Sequence, residues 1–396
     1  MSAAGPSQGV NGAPCGGSAA AKPQAWGQHT SDEAVRARIA ATVRADVQVL
    51  ERYHVPDARG YVKLDAMENP YPLPAELVPP LAHALAGACL NRYPDAAASE
   101  ARAALRRSLA LPGDVDVLLG NGSDELIQIV VSAVAGPQRA VLAPDPSFVM
   151  YRRTALIANA PFVPVDLRAD FSLDVRAMVE AMLGAIAREQ PALVFIADPN
   201  NPTGNAFAER DLERVIRAAP GLVVVDEAYY AYAERSFLAR VREFPNVVVL
   251  RTVSKIGLAG LRVGYAVGHP AWIAQFDKLR PPYNVGALAQ AALPVLLARG
   301  ELFESQAARV RTERARLARE LARVGATVYP SQANFVLVRL ADADAAFAAL
   351  RAARILVKNL DAAHPLLANC LRITVGTPDE NDALVAALAR HLEGKQ

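Results

Sequence analysis

Four short apolar runs, each ending abruptly in polar or glycine-rich sequence, constrain this chain most. Residues 115–119 run into Gly120-Asn121-Gly122-Ser123-Asp124-Glu125, and 192–197 into Asp198-Pro199-Asn200-Asn201-Pro202-Thr203-Gly204. Residues 222–225 lead to Asp226-Glu227-Ala228-Tyr229, and 247–250 to Arg251-Thr252-Val253-Ser254-Lys255. The run 222–225, β-branched and without polar alternation, predicts a strand buried on both faces, as in a parallel sheet covered by helices, and 192–197 reads as another apolar strand. Strand and helix patterns alternate from about 85 to 290, as a doubly wound sheet requires. The polar groups then fall at the carboxyl ends of successive strands, where open α/β sheets bind ligands.

Each of these groups suits a particular chemistry. Taken alone, Lys255 is more simply a solvated lysine. At the mouth of a buried strand, however, an amine has a lowered pKa, and a neutral amine can attack an aldehyde to form the Schiff base that anchors pyridoxal phosphate. Asp226, ending a buried strand, suits either a protonated pyridine nitrogen or the N-cap of a following helix. The proline and glycine around Asn201 fix a loop that can aim its amide at a phenolate oxygen, although an ordinary Asn-Pro turn has the same sequence. Glycines opening a helix at 120–125 leave backbone N–H groups for a phosphate, a weak signal in isolation.

The order of these segments resembles that of the fold type I aminotransferases. The likeness runs through Asn-Pro-Thr-Gly at 201–204, Asp226 to Tyr229, Ser254-Lys255, and Arg262 in Leu258-Ala259-Gly260-Leu261-Arg262-Val263-Gly264-Tyr265. Within that group the chain is similar to the histidinol-phosphate aminotransferases, through Asp65-Ala66-Met67-Glu68-Asn69-Pro70-Tyr71, Asn91-Arg92-Tyr93-Pro94-Asp95 and Leu371-Arg372-Ile373-Thr374-Val375-Gly376-Thr377. The resemblance covers roughly residue 60 to the C-terminus. It implies an α/β fold, with a large domain on a mostly parallel doubly wound sheet and a smaller α+β domain, and pyridoxal 5′-phosphate as cofactor. Lys255 would be the Schiff-base lysine, Asp226 the partner of the pyridine nitrogen, and Asn201 with Tyr229 the partners of the ring oxygen. The backbone of Ser123 and Asp124, the hydroxyls of Thr252 and Ser254, and Arg262 would hold the phosphate, joined by Tyr93 from a partner subunit, so that a homodimer shares its sites. Phe148 would stack on the ring. Arg372, Lys358, Tyr71 and Asn69 would bind substrate.

The implied reaction is a ping-pong exchange of an amino group, from L-histidinol phosphate to 2-oxoglutarate, giving imidazole-acetol phosphate and glutamate in histidine biosynthesis. An aromatic aminotransferase or a phosphoamino-acid decarboxylase on the same fold are the alternatives. Two departures from the family pattern stand out. The stretch from Lys255 to Arg262 is one residue shorter than usual, so the loop must take a tighter path. Lys358 replaces an arginine, keeping charge but losing the planar fork.

Composition bounds the rest. With 396 residues, 52% of them hydrophobic, the chain is long enough for two or three domains. The sequence suggests an extension over 1–29 that is low in complexity and disordered, a helix and arm over 30–84, a large domain over 85–290 and a small one over 291–396. Thr30 and Glu33 have capping-box spacing ahead of a helix expected to reach Leu50. The aperiodic stretch 53–74 is a candidate for crossing to a partner subunit. A net charge of only +2 gives no basic patch for nucleic acid, and Arg309, Arg311, Arg314, Arg316 and Arg319 read as a solvated helix face. No membrane span, secretory signal or metal-ligand spacing is evident. Three cysteines far apart, Cys15, Cys89 and Cys370, suit a reducing cytoplasm.

Overall fold

A computed structural model describes residues 30–52, 55–186, 193–233 and 235–393. The 1–29 extension, Tyr53 and Ala192 lie outside the described residues, as does Cys15. The chain divides into two compact units, Met1–Tyr53 and His54–Gln396. In the first, the helix Asp32–Thr42 is capped by Ser31, whose side chain accepts from the Ala34 N–H, and not by Thr30 as the capping-box spacing suggests. It also stops short of Leu50. Val43 turns extended, and Gln48 donates to the carbonyl oxygens of Val43 and Ala40, closing that end before a short second helix, Ala45–Gln48, is complete.

In the second unit a two-residue strand, β1 (Val62–Lys63), precedes the strands of a seven-stranded sheet. These are β2 (Asp116–Asn121), β3 (Val141–Asp145), β4 (Phe162–Asp166), β5 (Leu193–Ala197), β6 (Leu222–Asp226), β7 (Val247–Thr252) and β8 (Val263–Gly268). Their spatial order is β2-β8-β7-β6-β5-β3-β4. The pairs from β4 through β7 are parallel, whereas β8 runs antiparallel to both β7 and β2.

The apolar runs explain this architecture. Successive side chains of a strand point to opposite faces. Val194, Ile196, Val223 and Val225 enter one buried cluster, and their neighbours Leu193, Phe195, Leu222 and Val224 enter another. Both faces are covered, which is why no polar alternation appears in the sequence. At about 1.5–3 kcal/mol for each large apolar side chain fully buried, these runs strongly favour the two-sided environment.

The C-terminal strands are β9 (Thr327–Val328), β10 (Phe335–Arg339), β11 (Ile355–Leu356), β12 (Lys358–Asn359) and β13 (Cys370–Thr374). An antiparallel sheet of order β12-β13-β10-β9 carries the helices Gly300–Arg323, Ala343–Ala352 and Pro378–Glu393, with their own apolar core. Strand β1 pairs with β11, bringing the 62–71 segment alongside this sheet. The arginines of Gly300–Arg323 are more than a solvated face. Arg311 donates to the carbonyl of Ala231, Arg314 to those of Tyr232 and Ala333, and Arg309 lies 3.8 Å over the Tyr71 ring. Their long stems let the heads reach carbonyls that helix spacing alone does not reveal. Among the described residues no helix is long and apolar enough to cross a membrane, and no cluster of three or more candidate metal ligands occurs.

Close approach fixes one position on β8. A Cβ added at Gly264 would lie 2.5 Å from the Ser123 nitrogen and 2.6 Å from the Gly122 carbonyl carbon, so only glycine lets β8 pass the turn after β2. Gly264→Ala should cost about 1–3 kcal/mol and lower the thermal midpoint. Gly260→Ala should not, since a Cβ there meets nothing within 4 Å. Melting both variants beside the parent checks the pair.

Candidate active site

The strand directions bring the carboxyl ends of β2, β3, β5, β6 and β7 to one edge, together with the amino end of β8. A cavity opens there. It is lined by Ser123, Asp124, Phe148, Asn201, Asp226, Tyr229, Thr252, Ser254, Lys255 and Arg262, with Met67, Ala197, Pro199 and Ala228.

Lys255 lies in a widened helical turn, Ser254–Leu258, directly after β7. Its amine donates to the Ala66 carbonyl at 3.3 Å and sits 5.8 Å from the centre of the Tyr229 ring. Burial and then the positive charge of Arg372 lower its pKa from 10.5 to about 8. The shortened loop still returns Arg262 to the cavity. Gly257 at φ 118° and Arg262 at φ 53° supply the tight path, both in conformations with positive φ.

Asp226 ends β6 with its carboxylate buried. One oxygen accepts from the Tyr151 hydroxyl at 2.7 Å and the other from the Ala228 N–H at 3.1 Å. Burial raises its pKa to about 6, so it is largely ionised at neutral pH, against a partial reduction by the Tyr151 hydrogen bond. Asn201 accepts from the Arg372 guanidinium through Oδ1 at 2.6 Å, which leaves its amide nitrogen as the donor. The Tyr229 hydroxyl donates to the Met67 sulfur at 3.1 Å.

At the other end of the cavity the helix Ser123–Val134 begins after Gly122, at φ 81° and with no side-chain cap. The Thr252 and Ser254 hydroxyls are 2.9 Å apart, and Arg262 reaches within 3.9 Å of Asp124. A Cβ at Gly122 would stand 2.7 Å from the Arg262 guanidinium, so glycine leaves room for that cation at the helix start. Uncapped amides, two hydroxyls and a guanidinium are a donor set suited to a phosphate. A carboxylate, an amide and a buried amine lie beside it in the same cavity, and Phe148 lines the wall. This donor set fits pyridoxal 5′-phosphate at both its phosphate and its ring.

Not every expected residue reaches the cavity wall. Asn69 donates to the Ile256 carbonyl and to Gln306 Oε1, and accepts from the Tyr71 N–H, so its amide is used to tie backbone segments together instead of facing the cavity. Tyr71 is occupied beneath Arg309. Tyr93 is 81% exposed and stacks on Tyr283 with ring centres 4.6 Å apart. Arg372 is buried behind Asn201 and also donates to the Asp65 carbonyl, while Lys358 is exposed and lies opposite Arg372 in the β12–β13 ladder.

Several residues around the cavity do not stand out in the sequence. Met67, at φ 54°, is held through its N–H by Thr374 Oγ1 and through its carbonyl by the Asn334 amide. Behind the strand ends, Arg251 pairs with Glu227 at 2.8 Å and Arg235 with Asp198 at 3.1 Å. Their adjacency to Asp226, Thr252 and Asn201 was the available signal, since charges flanking buried strand ends need partners.

The chain matches the model of the aminotransferase class I and II family over residues 59–388. It belongs to that family. Among its relatives, histidinol-phosphate aminotransferase 1 of Burkholderia lata is 53% identical over 354 residues, covering 89% of this chain and 98% of the relative. Histidinol-phosphate aminotransferase of Chromobacterium violaceum is 52% identical, over 88% of this chain and 97% of its own. Among solved structures, histidinol-phosphate aminotransferase from Sinorhizobium meliloti in complex with pyridoxal-5′-phosphate is 25% identical at a TM-score of 0.75, over 90% of this chain and 99% of that one.

The lowered pKa of Lys255 has a stability consequence. Between pH 8 and 10.5 the unfolded chain binds this proton and the folded one does not, so the penalty for burying a charged amine is full below pH 8 and fades as pH rises to 10.5. Lys255→Met should abolish turnover. It should also stabilise the cofactor-free protein at pH 7 by roughly 1–3 kcal/mol, a range that allows for partial screening by solvent. Thermal melts of both proteins at pH 7 and 10.5 should show that gain shrinking; a difference independent of pH would contradict it.

Proposed function

We propose that this chain is a pyridoxal-phosphate-dependent aminotransferase that exchanges an amino group between L-histidinol phosphate and 2-oxoglutarate, in histidine biosynthesis. The observation that carries the reading is the convergence of the Lys255 amine, the Asp226 carboxylate and the donor set suited to a phosphate on one cavity. The relatives at 52–53% identity supply the substrate. When bound, the cofactor supplies an electron sink for negative charge developing at the substrate α-carbon.

The protein's own groups do the rest. Asp226 would hold a proton on the ring nitrogen, and the Asn201 amide nitrogen, with the Tyr229 hydroxyl once turned from the Met67 sulfur, would donate to the ring oxygen. Lys255 Nζ, with its pKa lowered to about 8, would take the proton from the substrate α-carbon when neutral and deliver it, as a general acid, to the cofactor C4′, so that the amino group changes carrier. The backbone N–H groups of Ser123 and Asp124, the Thr252 and Ser254 hydroxyls and Arg262 would fix the phosphate, and so the distance from Lys255 to the reacting carbon. Arg372 pairs with the anionic groups of the substrates. Lys358, opposite it in the ladder, adds a second positive charge for the substrate phosphate.

The test is steady-state turnover of histidinol phosphate with 2-oxoglutarate, beside phenylalanine, tyrosine and threonine phosphate. Parallel double-reciprocal lines and a preference for histidinol phosphate are expected. Carbon dioxide release without 2-oxoglutarate would identify a decarboxylase instead. Lys358→Ala should lower kcat/KM for histidinol phosphate by about ten- to a hundredfold, the loss of one charge-assisted contact, with glutamate turnover less affected.

We also propose a homodimer with shared sites, acting in the cytoplasm. The exposed, stacked Tyr93 and Tyr283 support a partner surface, and Cys89 and Cys370, unpaired among the described residues, fit a reducing compartment. Mixing a Lys255→Ala chain with a Tyr93→Phe chain should recover activity, because each heterodimer then holds one site with both native groups. Strictly additive activities, or a monomer in sedimentation, would exclude sharing.

A further inference from the structure

Asp226 and Tyr151 stand 75 positions apart in the chain, yet their side chains meet at 2.7 Å in the interior. Tyr151 is 0% exposed and Asp226 4%. The phenol cannot drift. Its ring stacks on Phe195 with centres 4.4 Å apart and planes 6° apart, and meets the edge of Phe148 at 5.6 Å and 86°. Burial and the neighbouring Asp226 charge hold its hydroxyl protonated well above the usual tyrosine range, so it is a donor at every working pH.

The carboxylate it meets is under opposing influences. Desolvation favours the neutral acid, as do the charges of Asp124 on the facing helix and of Glu227 next along the strand. Glu227 is itself paired with Arg251. Tyr229 and Lys255 line the same cavity. The Tyr151 hydroxyl, and after it the Ala228 N–H, favour the anion. A hydrogen bond donated to a carboxylate stabilises its charged form and also sets the plane in which its oxygens lie.

We propose that Tyr151 is a positioning residue that keeps Asp226 ionised and aimed into the cavity, so that the carboxylate can hold a pyridinium. This rests on the reading of the cavity as a pyridoxal-phosphate site. Asp226 Oδ2 takes the Tyr151 bond and Oδ1 the backbone bond, and an oxygen can accept more than one donor. A fixed carboxylate therefore retains acceptor capacity for the cavity, whereas one protonated by its dry surroundings would lose the charge the ring nitrogen needs.

The experiment measures the dissociation constant of pyridoxal phosphate from cofactor-free protein by equilibrium dialysis between pH 5 and 9. Tyr151→Phe keeps both ring contacts and removes only the hydroxyl. The variant should bind roughly tenfold more weakly near neutral pH. The acid limb of its affinity should move to higher pH, so that the two curves diverge toward acid and converge toward alkali. In an Asp226→Asn background, where no charge remains to be held, Tyr151→Phe should change affinity less than twofold. Uniform 3-fluorotyrosine labelling, which makes the phenol a stronger donor, should move the wild-type limb the opposite way and needs no substitution at Tyr151. An equal loss at every pH and in both backgrounds would assign Tyr151 to packing alone, as would an acid limb unmoved by fluorination. Failure of the wild-type protein to bind pyridoxal phosphate would remove the functional reading and the proposal together.

Discussion

Strand β8 lies between β2 and β7 and runs against both. Strand β2 is thereby left pointing the same way as β3 through β7, so the strand ends that carry Ser123, Asn201, Asp226 and Lys255 open on one edge. The reversed strand contributes its beginning to that edge, and Arg262, immediately before it, closes the ring of groups. Had β8 been parallel, a crossover of a dozen or more residues would have been required after β7. Residues 253–262 make the return directly, and Lys255 and Arg262 sit at the two ends of that one link.

The two central ionisable groups are held away from their ordinary behaviour by the same cause. Removal from water lowers the Lys255 amine to about 8 and raises the Asp226 carboxyl to about 6. Desolvation disfavours whichever form is charged, so it moves a base and an acid toward each other and into the range where both can respond to a ligand. Keeping such groups dry needs firm strand ends. Behind the cavity Glu227 receives Arg251 and the Phe237 N–H, and Asp198 receives Arg235 and the Phe207 N–H. Buried pairs of this kind add little net stability over apolar packing, but losing one partner leaves an uncompensated charge. Their value here is geometric. They brace the backbone one residue from Asp226, one from Thr252 and three from Asn201.

What the sequence disclosed follows from the range of the interactions. The buried strands were legible because two-sided burial leaves an unbroken apolar run, and strands β5, β6 and β7 fall on such runs within a few residues, while β2 begins at the partly buried Asp116. The cavity residues were legible where they sit at strand ends or in glycine and proline turns. Tyr151 was not, because the fold alone carries its side chain from the helix Val149–Ile157 to Phe195 on β5 and Asp226 on β6. Met67 was hidden for a related reason: its positive φ is imposed by Thr374 and Asn334, hundreds of positions away in sequence. The arginines of Gly300–Arg323 misled in the other direction. Helical spacing with interleaved glutamates describes a solvated face equally well, until the carbonyls of Ala231, Tyr232 and Ala333 are found within reach.

One consequence of the packing bears directly on chemistry at the ring end of the cavity. A guanidinium has only donors, so the group that meets Arg372 at 2.6 Å must be the oxygen of Asn201, and the amide cannot be turned over without placing donor against donor. The Asn201 nitrogen is therefore committed as a donor before any ligand arrives. Arg372 is anchored in turn by the Asp65 carbonyl at 2.9 Å, and Asp65 belongs to the segment drawn alongside by β1 and β11. The orientation of a single amide thus depends on a strand of the small sheet, on the 62–71 segment and on the turn after β5, three stretches of chain that become neighbours only in the folded protein. Preorganisation of this sort removes the need to reorient a dipole when charge develops, which is where an enzyme gains over water.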